Sequence, residues 1–273
     1  MNDLSDIGNH SDIGNHLGPL TLDLSGKICV VTGATGQLGR VMVRTLARCG
    51  ADVAIQYLQN EAMARQLQEE LAVLGRRGFR VQADITEAGS VHALRDSVAE
   101  HLGAAEIVVA NAVIQYDWKS VLEQSPADYE SQFRSCVLHN VLLAQAFVPG
   151  MIAAGRGGRF IGINTECAMQ NFPSQSAYVS GKRGMDGVLR VLAKEIGTHG
   201  ITVNQVAPGW TISDQDRGAN TSDASDYVAQ VPLRRRGTDQ EIAHVVAFLA
   251  SDLSSYITGA YLPVCGGNVM PAI

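Results

Sequence analysis

The stretch that decides the fold is ICVVTGATGQLG, residues 28–39. It opens with a short β-rich run and continues directly into a turn that contains three glycines. The residues from 37 to 49 then have the apolar spacing of a helix. Glycines let a backbone turn tightly and approach an anion closely, and the first turn of a helix offers unpaired N–H groups. Strand, glycine turn and helix in this order predict a site for the pyrophosphate of a dinucleotide.

The alternation of strand and helix continues along the chain. Further strands are predicted at residues 52–57, 79–83, 106–110, 159–163, 201–206 and 261–264. Helices are predicted at residues 61–74, 91–101, 126–154, 177–198 and 239–250. Strands separated by helices of this length imply right-handed crossovers and a parallel sheet. The predicted fold class is therefore α/β: a single doubly wound domain with a parallel sheet of about seven strands and helices on both faces.

Composition and charge exclude several classes of function. The chain has 273 residues, of which 46% are hydrophobic and 18% charged, so a large core is expected. A formal net charge of −6 disfavours nucleic acid as a partner, because such binding needs a cationic surface. The most apolar run, residues 137–148, is interrupted by His139, Asn140 and Gln145, and no run reaches the roughly 18–20 residues that a membrane helix needs. We expect neither nucleic acid nor a membrane as a partner.

The cysteines and histidines point to a reducing compartment without a structural metal. The five cysteines are scattered and form no C-x-x-C pair, which favours free thiols in the cytoplasm. No histidine pair has acids or cysteines at metal-ligand spacing, so no metal site is expected. The polar first twenty residues do not have the apolar region of a signal peptide.

The N-terminal region contains a duplication, SDIGNH at residues 5–10 and again at 11–16. Two copies are too few for a stacked repeat, and the segment has little apolar content to bury. We interpret residues 1–23 as a flexible extension and residues 24–273 as one domain. Within that domain the polar stretch at about 210–232 is interpreted as a substrate lid, because a long irregular insert in a compact domain is usually functional.

A tyrosine and a lysine suggest carbonyl chemistry. Tyr178 and Lys182 are four residues apart on a predicted helix and so share one face. Reduction of a ketone needs a proton donor at the developing alkoxide, but an unperturbed phenol has a pKa of about 10. A neighbouring ammonium stabilises the phenolate, and a shift of about three pKa units corresponds to roughly 4 kcal/mol.

Several further motifs follow in a fixed order. Asp84 closes the third strand, Asn111 and Ala112 follow the fourth, and Asn140 lies within the long helix. Pro208 and Gly209 end the sixth strand, and residues 257–259 with 264–267 close the chain. Together with the glycine turn and the Y-x-x-x-K element at 178–182, these motifs resemble the short-chain dehydrogenase/reductase family over roughly residues 24–270. The resemblance implies a Rossmann-type fold and an NAD(P)-dependent oxidoreductase.

The resemblance also implies the catalytic residues. Tyr178 would be the general acid/base, and Lys182 would lower its pKa and bind the nicotinamide ribose. Thr165 stands where the family usually has serine and would donate a hydrogen bond to the substrate carbonyl. Asn140 would hold a water that relays protons from Lys182.

The implied cofactor contacts are spread along one edge of the predicted sheet. Asp84 would bind the adenine, with Ile85 packed on the ring, and Asn111 would line the adenosine. No acid follows the second strand in residues 56–60, and a carboxylate there is the usual reason for NAD, so NADP is favoured over NAD. The full set of implied contacts is Gly33, Thr35, Gly36, Gln37, Leu38, Gly39, Tyr57, Asp84, Ile85, Asn111, Ala112, Tyr178, Lys182, Pro208, Gly209, Trp210 and Ser213.

Two features depart from the family pattern. Gln37 occupies a position where the shorter branch of the family usually has glycine, and the spacing of the three glycines follows the extended branch. The stretch Ala110–Val113 lacks the first Asn and the final Gly of the family's Asn-Asn-Ala-Gly. We expect either departure to shift the cofactor slightly, with the phosphate-facing amides retained.

The sequence thus predicts hydride transfer between a nicotinamide cofactor and a secondary alcohol or ketone, most like the 3-oxoacyl-carrier reductases of the family. The polar lid and Glu166 keep a sugar or polyol dehydrogenase as an alternative, with Glu166 either a polar selector in the pocket or a solvent-facing acid. A dinucleotide-binding sensor without catalysis and a sugar-nucleotide epimerase of the extended branch are further alternatives. Family members commonly assemble through the helices at 126 and 177, so a homotetramer is expected, with a dimer as the rival.

Overall fold

The computed structural model describes residues 21–212, 216–217 and 224–270. Both hexapeptide copies, Ser213 and part of the predicted lid lie outside the described residues. The strands are β1 (Ile28–Val31), β2 (Asp52–Tyr57), β3 (Gly78–Gln82), β4 (Ile107–Ala110), β5 (Gly158–Ile163), β6 (Ile201–Pro208) and β7 (Tyr261–Val264). The helices are α1 (Gln37–Arg48), α2 (Glu61–Val73), α3 (Ala88–His101), α4 (Pro126–Gln132), α5 (His139–Ala154), α6 (Cys167–Gln170), α7 (Ser176–Ile196), α8 (Ser225–Gln230) and α9 (Asp239–Ala250).

The seven strands form one parallel sheet in the order β3-β2-β1-β4-β5-β6-β7. The chain moves outward from β1 to β3 and then returns to place β4 on the other side of β1. In such sheets ligands bind outside the carboxyl ends of the strands, at the point where the order reverses. The predicted fold class is confirmed, and the topology puts the binding crevice beside the ends of β1 and β4.

The two faces of the sheet carry separate hydrophobic cores. On one face α1, α2 and α9 contribute residues such as Met42, Leu67 and Ile242. On the other face α3, α5 and α7 contribute residues such as Leu94, Phe147 and Met185. The five inner strands are buried on both sides, which explains why they are mostly apolar, while the edge strands β3 and β7 are only partly buried.

The longest helical run joins α4 to α5 through a π-helical segment, Phe133–Leu138. By length and mean hydropathy, residues 126–154 form one described helix that could cross a membrane, and half of its most apolar window is buried inside the domain. Leu143 and Phe147 from this helix lie in the core against the sheet. Packing in the domain therefore accounts for its apolar composition.

Two short helices were not predicted from the sequence. α6 has four residues and follows β5, and α8 has six and lies in the polar stretch interpreted as a lid. Helices of one or two turns are too short to show a reliable 3.6-residue period. Both nevertheless matter for the site, because α6 follows Thr165 and α8 carries Tyr227.

Candidate active site

The glycine turn after β1 is shaped by close contacts. Gly33 has φ +60°, and a β-carbon there would lie 2.8 Å from the Cα of Ala112. A β-carbon on Gly39 would overlap the carbonyl oxygen of Gly33. α1 begins beyond Gly36, and no described side chain caps it and no acid lies in its first turn. The first-turn amides and the positive end of the helix dipole are thus available to an anion.

A buried hydrogen-bond network supports this turn from below. The Thr32 hydroxyl lies 3.0 Å from the amide nitrogen of Asn111, 3.2 Å from that of Ala112 and 3.0 Å from His139 Nε2. The Ser135 carbonyl beside Nδ1 can only accept, so the ring carries its proton on Nδ1 and Nε2 accepts from the Thr32 hydroxyl, which also lies 3.4 Å from the carbonyl of Val109. His139 Nδ1–H then donates to the carbonyl of Ser135 at 3.1 Å. Burial lowers the pKa of His139 to about 3, so the ring is neutral.

Two amide side chains hold the turn from the neighbouring strands. Gln56 on β2 accepts a hydrogen bond from the Gly33 amide at 2.7 Å and donates to the carbonyl of Ala83 at 2.6 Å. Asn111 Nδ2 donates to the carbonyls of Thr32 and Gly33 at 2.9 and 3.1 Å. Asn111 therefore stabilises the turn through two of its carbonyl groups. Sequence reasoning missed the support from Gln56, whose signal was a polar residue at the buried end of an apolar strand.

The residues predicted for the adenosine side occupy the ends of β2 and β3. Asp84 Oδ1 accepts from the amide and the hydroxyl of Thr86 at 2.8 and 2.7 Å, and Oδ2 makes no hydrogen bond to a described residue. One carboxylate oxygen thus braces the turn before α3, as a helix-start acid does. Ile85 is buried. The Tyr57 ring packs in the hydrophobic core, whereas the next residue, Leu58, is exposed.

The predicted catalytic residues come together at the ends of β5 and α7. Tyr178 and Lys182 lie on one face of α7, and Lys182 Nζ is 5.7 Å from the Tyr178 ring centroid. Lys182 Nζ donates to the carbonyl of Ile163 at 2.6 Å, and the Thr165 side chain lies near enough to the Tyr178 phenol to lower its pKa against the larger effect of burial. Burial raises the pKa of Tyr178 and lowers that of Lys182, because each charged form is poorly solvated there.

Thr165 is fixed by three neighbours. Its hydroxyl accepts from the amide of Cys167 at 3.2 Å, and its own amide donates to Asn164 Oδ1 at 2.9 Å. Its carbonyl accepts a 2.5 Å hydrogen bond from the phenol of Tyr261 on β7. The hydroxyl that faces Tyr178 is therefore held on a rigid strand end.

Comparison with known proteins shows the family. The family model described as Enoyl-(Acyl carrier protein) reductase matches residues 33–268. A 3-oxoacyl-[acyl-carrier-protein] reductase from Pseudomonas aeruginosa is 36% identical over 250 residues, which are 91% of this chain and 100% of that protein. The chain is a short-chain dehydrogenase/reductase. The predicted resemblance and the prediction of an enzyme are both confirmed.

Two solved structures share the architecture of this short-chain dehydrogenase/reductase. A blue fluorescent protein from a metagenomic library, in complex with NADPH, is 32% identical with a TM-score of 0.82, covering 91% of this chain and 100% of that one. A 7α-hydroxysteroid dehydrogenase, complexed with NADH and 7-oxo glycochenodeoxycholic acid, is 30% identical with a TM-score of 0.84, covering 92% and 97%.

In this short-chain dehydrogenase/reductase Asn140 has an incomplete set of partners. Its Nδ2 donates to the carbonyl of Cys136 at 2.7 Å, across the junction between the π segment and α5. Its Oδ1 is buried and has no hydrogen-bond partner in the described part of the chain. Buried polar atoms are nearly always paired with protein or ordered water, so this oxygen marks a place for a donor such as water.

An aromatic wall beside Tyr178 was not predicted from the sequence. The phenol of Tyr116 accepts a hydrogen bond from the Tyr178 amide at 2.8 Å. The Trp118 ring lies 6.5 Å from the Tyr178 ring, with an angle of 22° between their planes, and Trp118 is 53% exposed. An exposed tryptophan beside the candidate acid gives the crevice an apolar side. The available signal was the pair of aromatics in the irregular segment after β4.

The loop after β6 closes the other side of the crevice. Gln37 Nε2 donates to the carbonyl of Ile212 at 2.7 Å, so the residue that departs from the family pattern ties α1 to this loop. The amide of Trp210 donates to the phenol of Tyr227 at 2.9 Å, and the Arg236 guanidinium lies 4.4 Å from the Trp210 ring centroid. Pro208 accepts from the Glu166 amide, and the amide of Gly209 donates to Val264. Ser213 lies outside the described residues.

Within the described residues, no group of three or more histidine, cysteine, aspartate or glutamate side chains is placed to hold a metal ion. The chemistry at this site therefore has to be argued from the phenol, ammonium and hydroxyl groups and from a dinucleotide at the glycine turn.

Proposed function

We propose that this enzyme transfers hydride between a nicotinamide cofactor and a secondary alcohol or ketone, as a 3-oxoacyl-reductase-like member of its family. The observation that carries the proposal is the meeting of Tyr178, Lys182 and Thr165 at the same sheet edge as the uncapped glycine turn. A sensor would need only the turn, so these three side chains favour catalysis over a non-catalytic binding role.

The residues divide the chemistry as follows. The bound cofactor supplies or accepts the hydride. Tyr178 gives a proton to the carbonyl oxygen during reduction and takes it back during oxidation, while the Thr165 hydroxyl donates a hydrogen bond to the same oxygen. Burial alone raises the pKa of Tyr178. The positive charges of Lys182 and of an oxidised nicotinamide would have to lower it for the phenolate to form near neutrality.

Asn140 would complete a proton path. Its unpaired Oδ1 would accept from a water, and that water would connect the Lys182 ammonium to solvent. Lys182 would also hydrogen-bond the nicotinamide ribose, in exchange for part of its contact with Ile163.

The cofactor would lie across the carboxyl ends of β1, β2 and β4. The turn residues Gly33, Thr35, Gly36, Gln37, Leu38 and Gly39 would bind the pyrophosphate through the amides at the start of α1. Asp84 Oδ2, Ile85, Asn111 and Ala112 would surround the adenosine, and Pro208, Gly209, Trp210 and Ser213 the nicotinamide. NADP is favoured, because residues 56–60 offer no carboxylate to repel a 2′-phosphate.

The relatives named above support a carbonyl substrate, and the wall formed by Trp118 favours one with an apolar portion. A sugar or polyol dehydrogenase remains the second candidate, favoured by the polar residues of the lid at 210–232. Glu166 lends that candidate little support, because it is buried and both of its carboxylate oxygens are already hydrogen-bonded.

The test follows absorbance of the reduced nicotinamide with 3-oxoacyl thioesters, cyclic ketones and sugars, with NADPH and NADH in turn. We expect reduction of at least one ketone class, with NADPH preferred. Tyr178→Phe removes the proton donor and should lower kcat by two to four orders of magnitude, while cofactor affinity, titrated without substrate, stays close to that of the wild type. Equal activity of Tyr178→Phe and the wild type would remove the phenol from the mechanism.

We further propose a cytoplasmic homotetramer whose subunit has one domain at 24–273, preceded by an N-terminal extension at 1–23. All five cysteines are free thiols, as expected in a reducing compartment.

Phe133 is 51% exposed beside a groove between the π segment and α7 that Val137 and Gly184 also line. Large exposed apolar side chains beside a groove are typical of an interface, and a second copy of this chain is the occupant we propose.

A further inference from the structure

Glu166 is a buried carboxylate directly after the catalytic Thr165. It is 2% exposed, and its Oε1 accepts from the phenol of Tyr227 at 2.7 Å while its Oε2 accepts from Asn268 Nδ2 at 3.1 Å. Both of these partners are neutral, and no ion pair to Glu166 is found among the described residues. The residue is therefore neither a solvent-facing acid nor half of a salt bridge.

The partners of Glu166 come from three separate parts of the chain. Tyr227 lies on α8, Asn268 follows β7, and the amide of Glu166 itself donates to Pro208 at the end of β6, at 2.9 Å. The segment that starts at Thr165 thus connects the end of β5 to the end of β6, to the segment after β7 and to α8.

Tyr227 carries the connection one step further. Its phenol oxygen donates to Glu166 and accepts from the amide of Trp210 at 2.9 Å. It also sits so close to Gly209 that a β-carbon there would lie 2.6 Å from it. The Tyr227 ring meets the Trp210 ring edge to face at 5.4 Å. A chain of two hydrogen bonds therefore runs from the neighbour of Thr165 to the backbone that follows β6.

The buried carboxylate of Glu166 costs stability, so its presence is best explained by a role in positioning its neighbours. Burial of a carboxylate without a cation is costly, and an apolar residue of the same size is often neutral or more stabilising. Burial accordingly raises the pKa of Glu166, while its contacts with Tyr227, Asn268 and the Trp210 backbone act in the opposite direction. What a carboxylate offers over an apolar residue is two strong, directional acceptors at a fixed spacing.

We propose that Glu166 is a positioning residue that fixes the Gly209–Trp210 backbone relative to Thr165 by holding the phenol of Tyr227. The inference rests on the proposed function, in which Thr165 contacts the substrate carbonyl and the Gly209–Trp210 backbone contacts the nicotinamide. Glu166 then holds the Gly209–Trp210 backbone, which contacts the nicotinamide, at a fixed position relative to Thr165, which contacts the substrate. It does so without contacting substrate or cofactor itself.

The first experiment measures the connection without any substrate. Hydrogen exchange followed by mass spectrometry compares the wild type with Glu166→Leu, Tyr227→Phe and the matched control Asp226→Asn, an exposed neighbour on α8. We expect amides of α8 and of Trp210 to exchange about ten-fold faster in the first two variants, in line with the loss of one or two buried hydrogen bonds. The control and the peptides of β1–β4 should match the wild type.

The second experiment is a double-mutant cycle in kcat/KM. Glu166→Leu and Tyr227→Phe should each lower kcat/KM about ten-fold or more, and the double variant should be no worse than the poorer single one, because both act through one connection. Glu166→Gln keeps an acceptor for Tyr227, and Asn268 can turn its amide to accept from the new N–H. It should stay within about five-fold of the wild type.

The outcomes separate the inference from the proposed function. Additive losses, unchanged exchange at α8, or a Tyr227→Phe variant with wild-type kcat/KM would each overturn the role of Glu166. If Glu166→Leu does not fold, Tyr227→Phe and Glu166→Gln decide the question alone. If no carbonyl compound is reduced by the wild type, the proposed function fails, while the exchange data still test the connection.

Discussion

At the scale of single residues, Gln37 is where this chain differs most plainly from its family pattern. The side chain does not fill the phosphate site but reaches across to the carbonyl of Ile212 at 2.7 Å. It thereby links the start of α1 to the loop after β6, and the proposed cofactor would lie between these two elements. The departure from glycine thus has a structural use.

Replacement of Gln37 should change how fast the cofactor leaves. Gln37→Gly removes the hydrogen bond to Ile212, and the loss of about 1 kcal/mol corresponds to roughly five-fold faster dissociation of NADPH in stopped-flow fluorescence. Gln37→Asn is too short to make the bond and should behave similarly, which separates the lost contact from added glycine flexibility. Unchanged dissociation rates in both variants would mean that the link does not restrain the cofactor.

The proposed catalytic residues could be placed from the sequence, but their partners could not. Tyr178 and Lys182 share a helix face by spacing alone, and Thr165 ends a strand that leads to the same sheet edge. Gln56, Tyr116 and Glu166 were missed or left open, since each acts through contacts with residues more than 20 positions away. Local sequence pattern contains no information on such pairs.

At the scale of elements, the junction of the π segment and α5 contributes one residue to the support of the glycine turn and the next residue to the proposed proton path. His139 binds the hydroxyl that supports the glycine turn, and the next residue is Asn140. A π segment shifts the residues that follow it by one position around the helix. Here this junction lets two consecutive polar side chains find buried partners within an otherwise apolar helix.

His139 should make stability depend on pH. Its pKa is about 3 in the folded protein against 6.5 in the unfolded chain, so the unfolded state binds the extra proton. The stability that the neutral ring contributes is complete above pH 6.5 and is lost as the pH falls toward 3. Between pH 6.5 and 5 the free energy of unfolding should fall by about 2 kcal/mol from this group alone.

Urea unfolding of His139→Gln across this range provides the measurement. The variant should be less stable than the wild type at pH 7 and should show a correspondingly flatter decline toward pH 5. His92→Gln, on the exposed side of α3, is the matched control and should keep the wild-type slope. Parallel slopes for the His139→Gln variant and the wild type would show that the ring is not buried as a neutral base.

Most elements were predictable because their signals are local. The seven strands and six long helical runs follow from apolar periodicity and from glycine punctuation, and their ends agree within about three residues. The π segment could not be predicted, since residues 126–154 are apolar on more than one side and a shift by one position therefore does not show in their pattern. α8 was missed because its six residues are too few to show a reliable helical period.

At the scale of the whole molecule, the exposed groove beside Phe133 predicts an assembly through α7 and the π segment. Phe133→Glu should place a charge in that contact and convert the proposed tetramer into smaller species in light scattering after size exclusion. Leu122→Glu alters a side chain that is 95% exposed elsewhere and should leave the mass unchanged. A Phe133→Glu variant that remains tetrameric would exclude this face as the interface.

The support of the glycine turn has a consequence for how the chain is made on the ribosome. The hydroxyl of Thr32 reaches its final partners only when residues 111, 112 and 139 are present. A nascent chain that ends before residue 139 therefore holds the turn's sequence without its full set of bonds. The turn should therefore gain its full support only after residue 139 has been added, well after its signature motif has emerged.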